Sequence, residues 1–255
     1  MLLLGLDFET GGSFEKPLEE NFITEVGAVL WDTEAGCPVK MMNKLVYQGK
    51  AIAEEATQYT GITNEMVAKH GESLHVVLDE LLRMADEAEY IVAQNGLMFD
   101  RPLLALELKQ LNADAPKKLW LDTTCDVPYP KNCRNMNLTY LAGFHLILNC
   151  FPHRAVTDVL TMMAVLSKYD INTVIRNASQ PTLLVRALVT YDQRDLAKKA
   201  GFYWEPKDKF WLKSIRKPEF EEFKQTLTFN TSVIKEELRE GAPLPEPELP
   251  LDGSY

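Results

Sequence analysis

An α/β fold on a mixed sheet, followed by a small α+β carboxy-terminal unit, is what this sequence predicts, and three observations predict it. Three strand-like runs come first, strands then alternate with helices, and a break at Ser179-Gln180-Pro181 opens a stretch whose charge is opposite to that of the whole chain. Residues 2–9 are an apolar run that reads as a strand buried on both faces. Residues 24–32 (TEVGAVLWD) and 40–47 (KMMNKLVY) read as its antiparallel neighbours, joined to each other by a turn at Glu34, Ala35 and Gly36. Residues 64–69 and 73–87 are helical in pattern, 89–94 (EYIVAQ) is a strand, and 99–111 is a helix that tolerates Pro102 in its first turn. A strand at 119–124 (LWLDTT) and helices near 137–143 and 154–169 complete the first unit.

Composition bounds what such a fold can do. With 255 residues, 46% of them hydrophobic, the chain can bury one good core and a small second one. The opening MLLLGL is too short to span a membrane and lacks the basic flank and cleavage region of a signal peptide, so a cytoplasmic protein without a membrane partner is expected. Cys37, Cys125, Cys133 and Cys150 have irregular spacing and no CxxC, which favours reduced thiols; a zinc site of Cys125, Cys133, His145 and Cys150 is the less favoured reading. A net charge of -10 argues against broad, sequence-blind binding to long nucleic acid, which draws on many Lys and Arg contacts. It does not exclude an enzyme that grips a few nucleotides, because acidic metal ligands count as negative until a metal neutralises them.

Five residues carry the chemistry. Asp7 and Glu9 sit two apart in LLLGLDFET, so on a strand both carboxylates leave the same face. Adjacent anions of this kind suit a hard cation such as Mg²⁺ or Mn²⁺. Asp100 ends AQNGLMFD, where a strand gives way to a helix, and ligand sites collect at that edge of such sheets. His153 and Asp158 lie in HRAVTD, and five positions on one helix would turn the two about 140° apart, which places His153 on the loop before the helix. A histidine titrates near neutral pH and suits a general base.

These motifs, in this order, resemble the DEDDh (DnaQ-like) 3′-to-5′ exonucleases. The resemblance covers about residues 1–178 and extends to Thr24-Glu25-Val26-Gly27 and Thr60-Gly61-Ile62-Thr63, outside the active-site motifs. It implies a ribonuclease-H-like mixed sheet flanked by helices. It also implies hydrolysis of the terminal phosphodiester with two Mg²⁺ or Mn²⁺ ions, ~3.5 to 4 Å apart in such sites. Asp7 would bridge the ions, Glu9 and Asp158 would complete one shell, Asp100 would hold the other ion, and His153 would deprotonate the attacking water. Phe8, Thr10 and Asn95 are candidates to contact the last nucleotides, although Phe8 faces away from Asp7 and Glu9 on a regular strand.

The second unit is assigned to residues 183–230. Over 183–217 nine basic residues stand against four acids, a local +5. Asp192 reads as a helix N-cap, 196–200 as the helix and Gly201 as its stop, and 202–204 and 210–212 as a hairpin around EPKDK. Trp204 and Trp211 with Lys209 and Lys213 pattern as a stacking and charge platform for single strands, or the tryptophans are simply a mini-domain core. The stretch resembles the small carboxy-terminal domain of exonuclease-X-like proteins. Residues 225–229 (QTLTF) faintly resemble peptides that dock to the replication sliding clamp, and 241–255 read as a disordered Pro-rich tail. The expected activity is removal of mononucleotides from the 3′ end of DNA, with single-stranded DNA or its 3′ ends as partner. An exoribonuclease acting on RNA and a non-catalytic nucleic-acid-binding scaffold are the alternatives.

Overall fold

The computed structural model describes residues 1–13 and 17–242 and divides into two compact units, Met1–Ala178 and Ser179–Tyr255. In unit 1 the chain forms β1 (Leu2–Thr10), β2 (Ile23–Asp32), β3 (Cys37–Tyr47), α1 (Glu54–Thr60), α2 (Asn64–His70), β4 (Glu72–Ser73), α3 (Leu74–Glu87) and β5 (Tyr90–Ala93). It continues through α4 (Asp100–Gln110), β6 (Trp120–Asp122), α5 (Leu138–Phe144), α6 (Ala155–Leu166) and α7 (Ile171–Ser179). The sheet order is β4-β3-β2-β1-β5-β6, antiparallel across β1, β2 and β3 and parallel from β1 through β5 to β6. This is the mixed sheet with flanking helices that the sequence predicts. Two helices, α1 and α7, were not anticipated. No helix among the described residues is long and apolar enough to cross a membrane.

The two faces of β1 do different work. Leu4, Leu6 and Phe8 point into the main core with Val26, Ala28 and Leu30 of β2, Val77, Leu78 and Leu81 of α3, and Leu103 and Leu104 of α4. Gly5, Asp7 and Glu9 occupy the opposite face, aligned with Val29, Gly27 and Glu25 of β2. Helix α6 lies on that face. A Cβ on Gly27 would stand 2.3 Å from the Ala155 carbonyl carbon, and one on Gly5 would stand 2.7 Å from Val159 Cγ1. The two glycines therefore let the α6 backbone settle directly onto the strands that bear the acids.

Unit 2 is an antiparallel sheet of order β10-β7-β9-β8, built from β7 (Thr182–Leu188), β8 (Tyr203–Glu205), β9 (Phe210–Arg216) and β10 (Asn230–Glu237). Leu183, Val185, Ala187 and Ile215 of the sheet pack with Ala197 of α8 (Arg194–Lys199), Phe202, and Phe220 of α9 (Lys217–Gln225). Strand β10 was not predicted, and pairing with β7 carries the unit past residue 230. Asp192 is not an N-cap. It lies inside a 3₁₀ turn, Tyr191–Gln193, whose cap is Thr190, with Gln193 reciprocating. Gly201 does end the helix, at φ 80°. The clamp-like segment 225–229 is not a free peptide, because Leu227 and Phe229 pack against the core and the Phe229 and Phe202 rings lie 5.7 Å apart. Of the expected tail, residues 243–255 lie outside the described residues.

Candidate active site

Strand β1 presents Asp7 and Glu9, and the first turn of α6 presents Asp158 to them. One carboxylate oxygen from each lies within 4.8 Å of the others. Asp100, the first residue of α4 and 1% exposed, is tied to β1: its Oδ1 accepts the backbone N–H of Phe8 at 3.1 Å. The Asp158 carboxylate is aimed by two donors, the His153 backbone N–H at 3.1 Å and the Asn149 side chain. Cys125, Cys133, His145 and Cys150, in contrast, do not assemble. His145 spends its ring nitrogens on the Leu141 carbonyl and the Tyr169 hydroxyl, the Cys133 thiol faces the Asn135 carbonyl, and the acid cluster is the metal-capable group found among the described residues.

The electrostatics of the acid cluster are those of a cation site. Burial, then Asp100, Glu9, Asp158 and Glu25, push the Asp7 carboxyl far above the usual carboxylate range. Burial and the neighbouring acids push Glu9 up to about 8, with Arg154 pulling the other way. Burial pushes Asp100 up to about 7 against the Phe8 hydrogen bond, and it raises Asp158 against the hydrogen bonds from Asn149 and His153. Crowded, desolvated carboxylates favour the neutral form unless positive charge is supplied. A divalent cation supplies it, and hard oxygen donors are what Mg²⁺ and Mn²⁺ take.

His153 lies in the turn before α6, as expected, with φ 63°. Its backbone bond to Asp158 helps hold this left-handed conformation, and its ring lies against Tyr59, centroids 3.8 Å apart. Both rings line a cleft of about 500 Å³ together with Asp158, Asn95, Gln94, Thr124 and the Met136–Thr139 segment.

The sequence matches the exonuclease family (RNase_T) over residues 4–166. The chain belongs to that exonuclease family. Residues 183–234 match a domain of unknown function (DUF8626), and no curated protein matches. Among solved structures, the zinc-bound complex of E. coli ExoI with single-stranded DNA is 15% identical, with a TM-score of 0.57 over 73% of this chain and 47% of that one. The nuclease domain of 3′hExo, a DEDDh family member bound to rAMP, is 16% identical, with a TM-score of 0.56 over 66% and 90%. Exonuclease X in complex with 5′ overhanging duplex DNA is 21% identical, with a TM-score of 0.53 over 69% and 99%. The chain thus spans about half the length of ExoI, and at these identities the likeness is one of fold, the ribonuclease-H-like sheet of DEDDh exonucleases.

Within this exonuclease domain the five motif residues converge from three separate stretches of chain. Asn95 lines the cleft at φ 58°, held by its N–H to Asp122 Oδ1 at 3.1 Å. Phe8 is 3% exposed and lies in the core, because the alternation that points Asp7 and Glu9 to one face points it to the other; its contribution is the backbone N–H on Asp100. The Phe8 side chain is therefore turned away from the face that carries the acids. Thr10 is buried and absent from the cleft lining.

Sequence reasoning missed the supporting residues. Glu25, fully buried, receives the Arg154 guanidinium on both carboxylate oxygens and the Ala155 backbone N–H at 2.9 Å, which ties the start of α6 to β2 beside the acids. The TEVG run therefore belongs to the active site rather than outside it, and one acid in the otherwise apolar ITEVGAVLW was the available signal. Asp122, at the end of β6, accepts the N–H groups of Asn95, Leu97 and Thr124 and the Thr124 hydroxyl, fixing the loop that leads to Asp100. Tyr59 had no signal, since it sits on the unpredicted α1.

In unit 2, Trp204, Trp211 and Lys209 share one cavity. Lys213 does not line it. Its ammonium lies 5.1 Å from the Phe223 ring centroid and within 3.5 Å of the Gly201 carbonyl oxygen.

Proposed function

We propose that this chain is a divalent-metal-dependent 3′-to-5′ exonuclease that releases mononucleotides from the 3′ end of single-stranded DNA. The observation that carries this reading is the meeting of Asp7, Glu9 and Asp158 within 4.8 Å, at a cleft that His153 also lines. Three crowded, desolvated carboxylates fit a divalent cation and little else. Asp7, Glu9 and Asp158 would hold one Mg²⁺ or Mn²⁺ ion, and Asp100 with Asp7 a second. Such ions make a bound water acidic and neutralise charge on the scissile phosphate.

The chain's own residues supply the rest. His153, positioned by its backbone bond to Asp158 and by the Tyr59 ring, takes the proton of the attacking water. Asn95 and Tyr59 on the cleft wall orient the terminal nucleotide, with an amide to hydrogen-bond it and a ring to stack on it. Glu25, opposite Glu9 on β2, pairs with Arg154 beside the acids, so the Arg154 charge does not displace the cation. The DNA preference rests on the likeness of the carboxy-terminal unit to exonuclease-X-like proteins, and the fold likeness to E. coli ExoI in its complex with single-stranded DNA is consistent with it.

Digestion of matched 5′-labelled single-stranded DNA and RNA, with Mg²⁺, Mn²⁺ or EDTA, compares wild type with Asp158→Ala. A metal-dependent ladder that shortens from the 3′ end of DNA and vanishes in the variant is expected. A ladder on RNA alone would replace DNA as substrate. Absence of cleavage with either metal would overturn the enzymatic reading.

A further inference from the structure

The cavity in unit 2 has the composition of a nucleotide-binding site, and neither family match assigns it one. It lies between the Val189–Tyr191 segment that leaves β7 and the β8–β9 hairpin, and its volume is about 320 Å³, within the ~300–1,000 Å³ range of small-ligand sites. Four aromatic rings line it: Tyr191, Trp204, Phe210 and Trp211. Tyr191 is 78% exposed and Trp204 46% exposed, so neither is buried in the core of the unit, which Leu183, Val185, Phe202 and Ile215 already form. The tryptophans are direct partners across the hairpin, with ring centroids 5.6 Å apart.

Three cations share the same wall, Arg186, Arg194 and Lys209. The Arg186 guanidinium lies 3.3 Å from the Phe210 ring centroid and that of Arg194 4.0 Å from the Tyr191 centroid. Stacking of this kind holds a guanidinium plane flat while leaving its N–H edge open to an anion. None of the three forms an ion pair with a carboxylate among the described residues. Three of the nine basic residues that give 183–217 its excess of +5, in a chain of net -10, therefore line this cavity. An apolar peptide would leave these cations unmatched. A polymer that alternates flat bases with phosphates matches both.

We propose that this cavity is a second nucleic-acid site, which stacks one or two unpaired bases on Trp204 and its neighbouring rings and holds the adjoining phosphates with Arg186, Arg194 and Lys209. The site accepts single-stranded DNA or RNA, since nothing lining it distinguishes the sugars. It would keep hold of the strand while the nuclease unit works on the end. The proposal rests on the nuclease reading only for that last role.

The test is a titration of the full chain, in EDTA so that nothing is cut, with a twelve-nucleotide thymidine or uridine oligomer, followed by tryptophan emission. Quenching is expected, lost in the double variant Trp204→Phe, Trp211→Phe, the two tryptophans that line the cavity, while a labelled oligomer still binds. Trp204→Ala should weaken binding about fivefold or more, the value of one stacked base. Arg194→Gln should weaken it too, and should lower the slope of log affinity on log salt by about 0.7, the share of one phosphate contact on a single strand. Arg194 is exposed on the first turn of α8, so this variant tests the site even where Trp204→Ala disturbs the fold. Quenching that persists in the double variant Trp204→Phe, Trp211→Phe, or an unchanged affinity and salt slope in Arg194→Gln, would overturn the proposal. So would an oligoglutamate of equal charge that competes as well as the oligonucleotide, because the site would then be one for acidic peptides. No metal enters the titration, so loss of nuclease activity and loss of this binding are read separately.

Discussion

Replacing Gly27 with alanine should disable the exonuclease site without touching any residue that does chemistry. The new Cβ would lie 2.3 Å from the Ala155 carbonyl carbon and 2.4 Å from the Val156 nitrogen, where ordinary contacts begin near ~3.5 Å. Both neighbours are backbone atoms at the start of α6, so no side-chain rotation relieves the clash. The helix must lift from β2 by about 1 Å. Asp158 stands one turn further along α6, and the same lift carries it away from Asp7 and Glu9 on β1. A displacement of ~1 Å at such a site costs about 10²-fold in rate, and overpacking costs ~1–3 kcal/mol of stability. The assay is kcat/KM on a 5′-labelled oligonucleotide, alongside Mn²⁺ affinity and a urea denaturation curve. Gly143→Ala in α5 is the control, since a Cβ there meets nothing within 4 Å and alanine is the better helix former. Gly27→Ala with a rate and Mn²⁺ affinity within about threefold of wild type would falsify the claim that this close approach sets the site.

Other perturbations probe the same machinery. Burial and repulsion raise Glu9 to about 8 and Asp100 to about 7, so the folded state holds their protons more tightly than the unfolded chain does. The metal-free protein should then be most stable near pH 4.5 and lose stability progressively as pH climbs from there to about 8. A thermal melt in EDTA should fall by about 5 °C or more across that window and Mg²⁺ should restore the loss; a flat profile would sink the electrostatic account. Metal uptake should release protons near pH 7, measurable as a buffer-dependent heat in calorimetry. His153→Ala should cut kcat by ~10²–10⁴ while Mn²⁺ affinity stays within about threefold, and a kcat near that of wild type would remove the histidine from proton transfer. Asp122→Ala strips four donors of their acceptor and should cost ~2–4 kcal/mol in urea unfolding, with a raised KM from the loosened Asn95 loop. A KM left unchanged would detach that loop from substrate binding.

Strong, local signals were legible before any coordinates. The apolar run at 2–9, the paired acids on one strand face and the His153 and Asp158 spacing each depend on a period of 2 or 3.6 residues. They led to the right face for Asp7 and Glu9 and the right loop for His153. Where the signal was weak or borrowed from position alone, the structure decided otherwise. Phe8 flanks the acids in sequence, yet strand alternation turns its ring into the core. Lys213 belongs to the right stretch of charge but turns to Phe223, as side-chain direction in unit 2 follows from strand register that composition does not report.

What the sequence determined by itself was therefore the chemistry on offer: four acids and a histidine on a strand end and two helix starts, a mixed-sheet scaffold and a basic, aromatic second unit. What only the tertiary structure decided was which groups meet. Glu25 and Arg154 lie 129 positions apart, as do Phe8 and Asp100 by 92, and such pairs exist only once β1, β2, α4 and α6 have packed. The same packing desolvates the acids and so sets their affinity for protons and cations, a property of their shared environment rather than of any residue's identity.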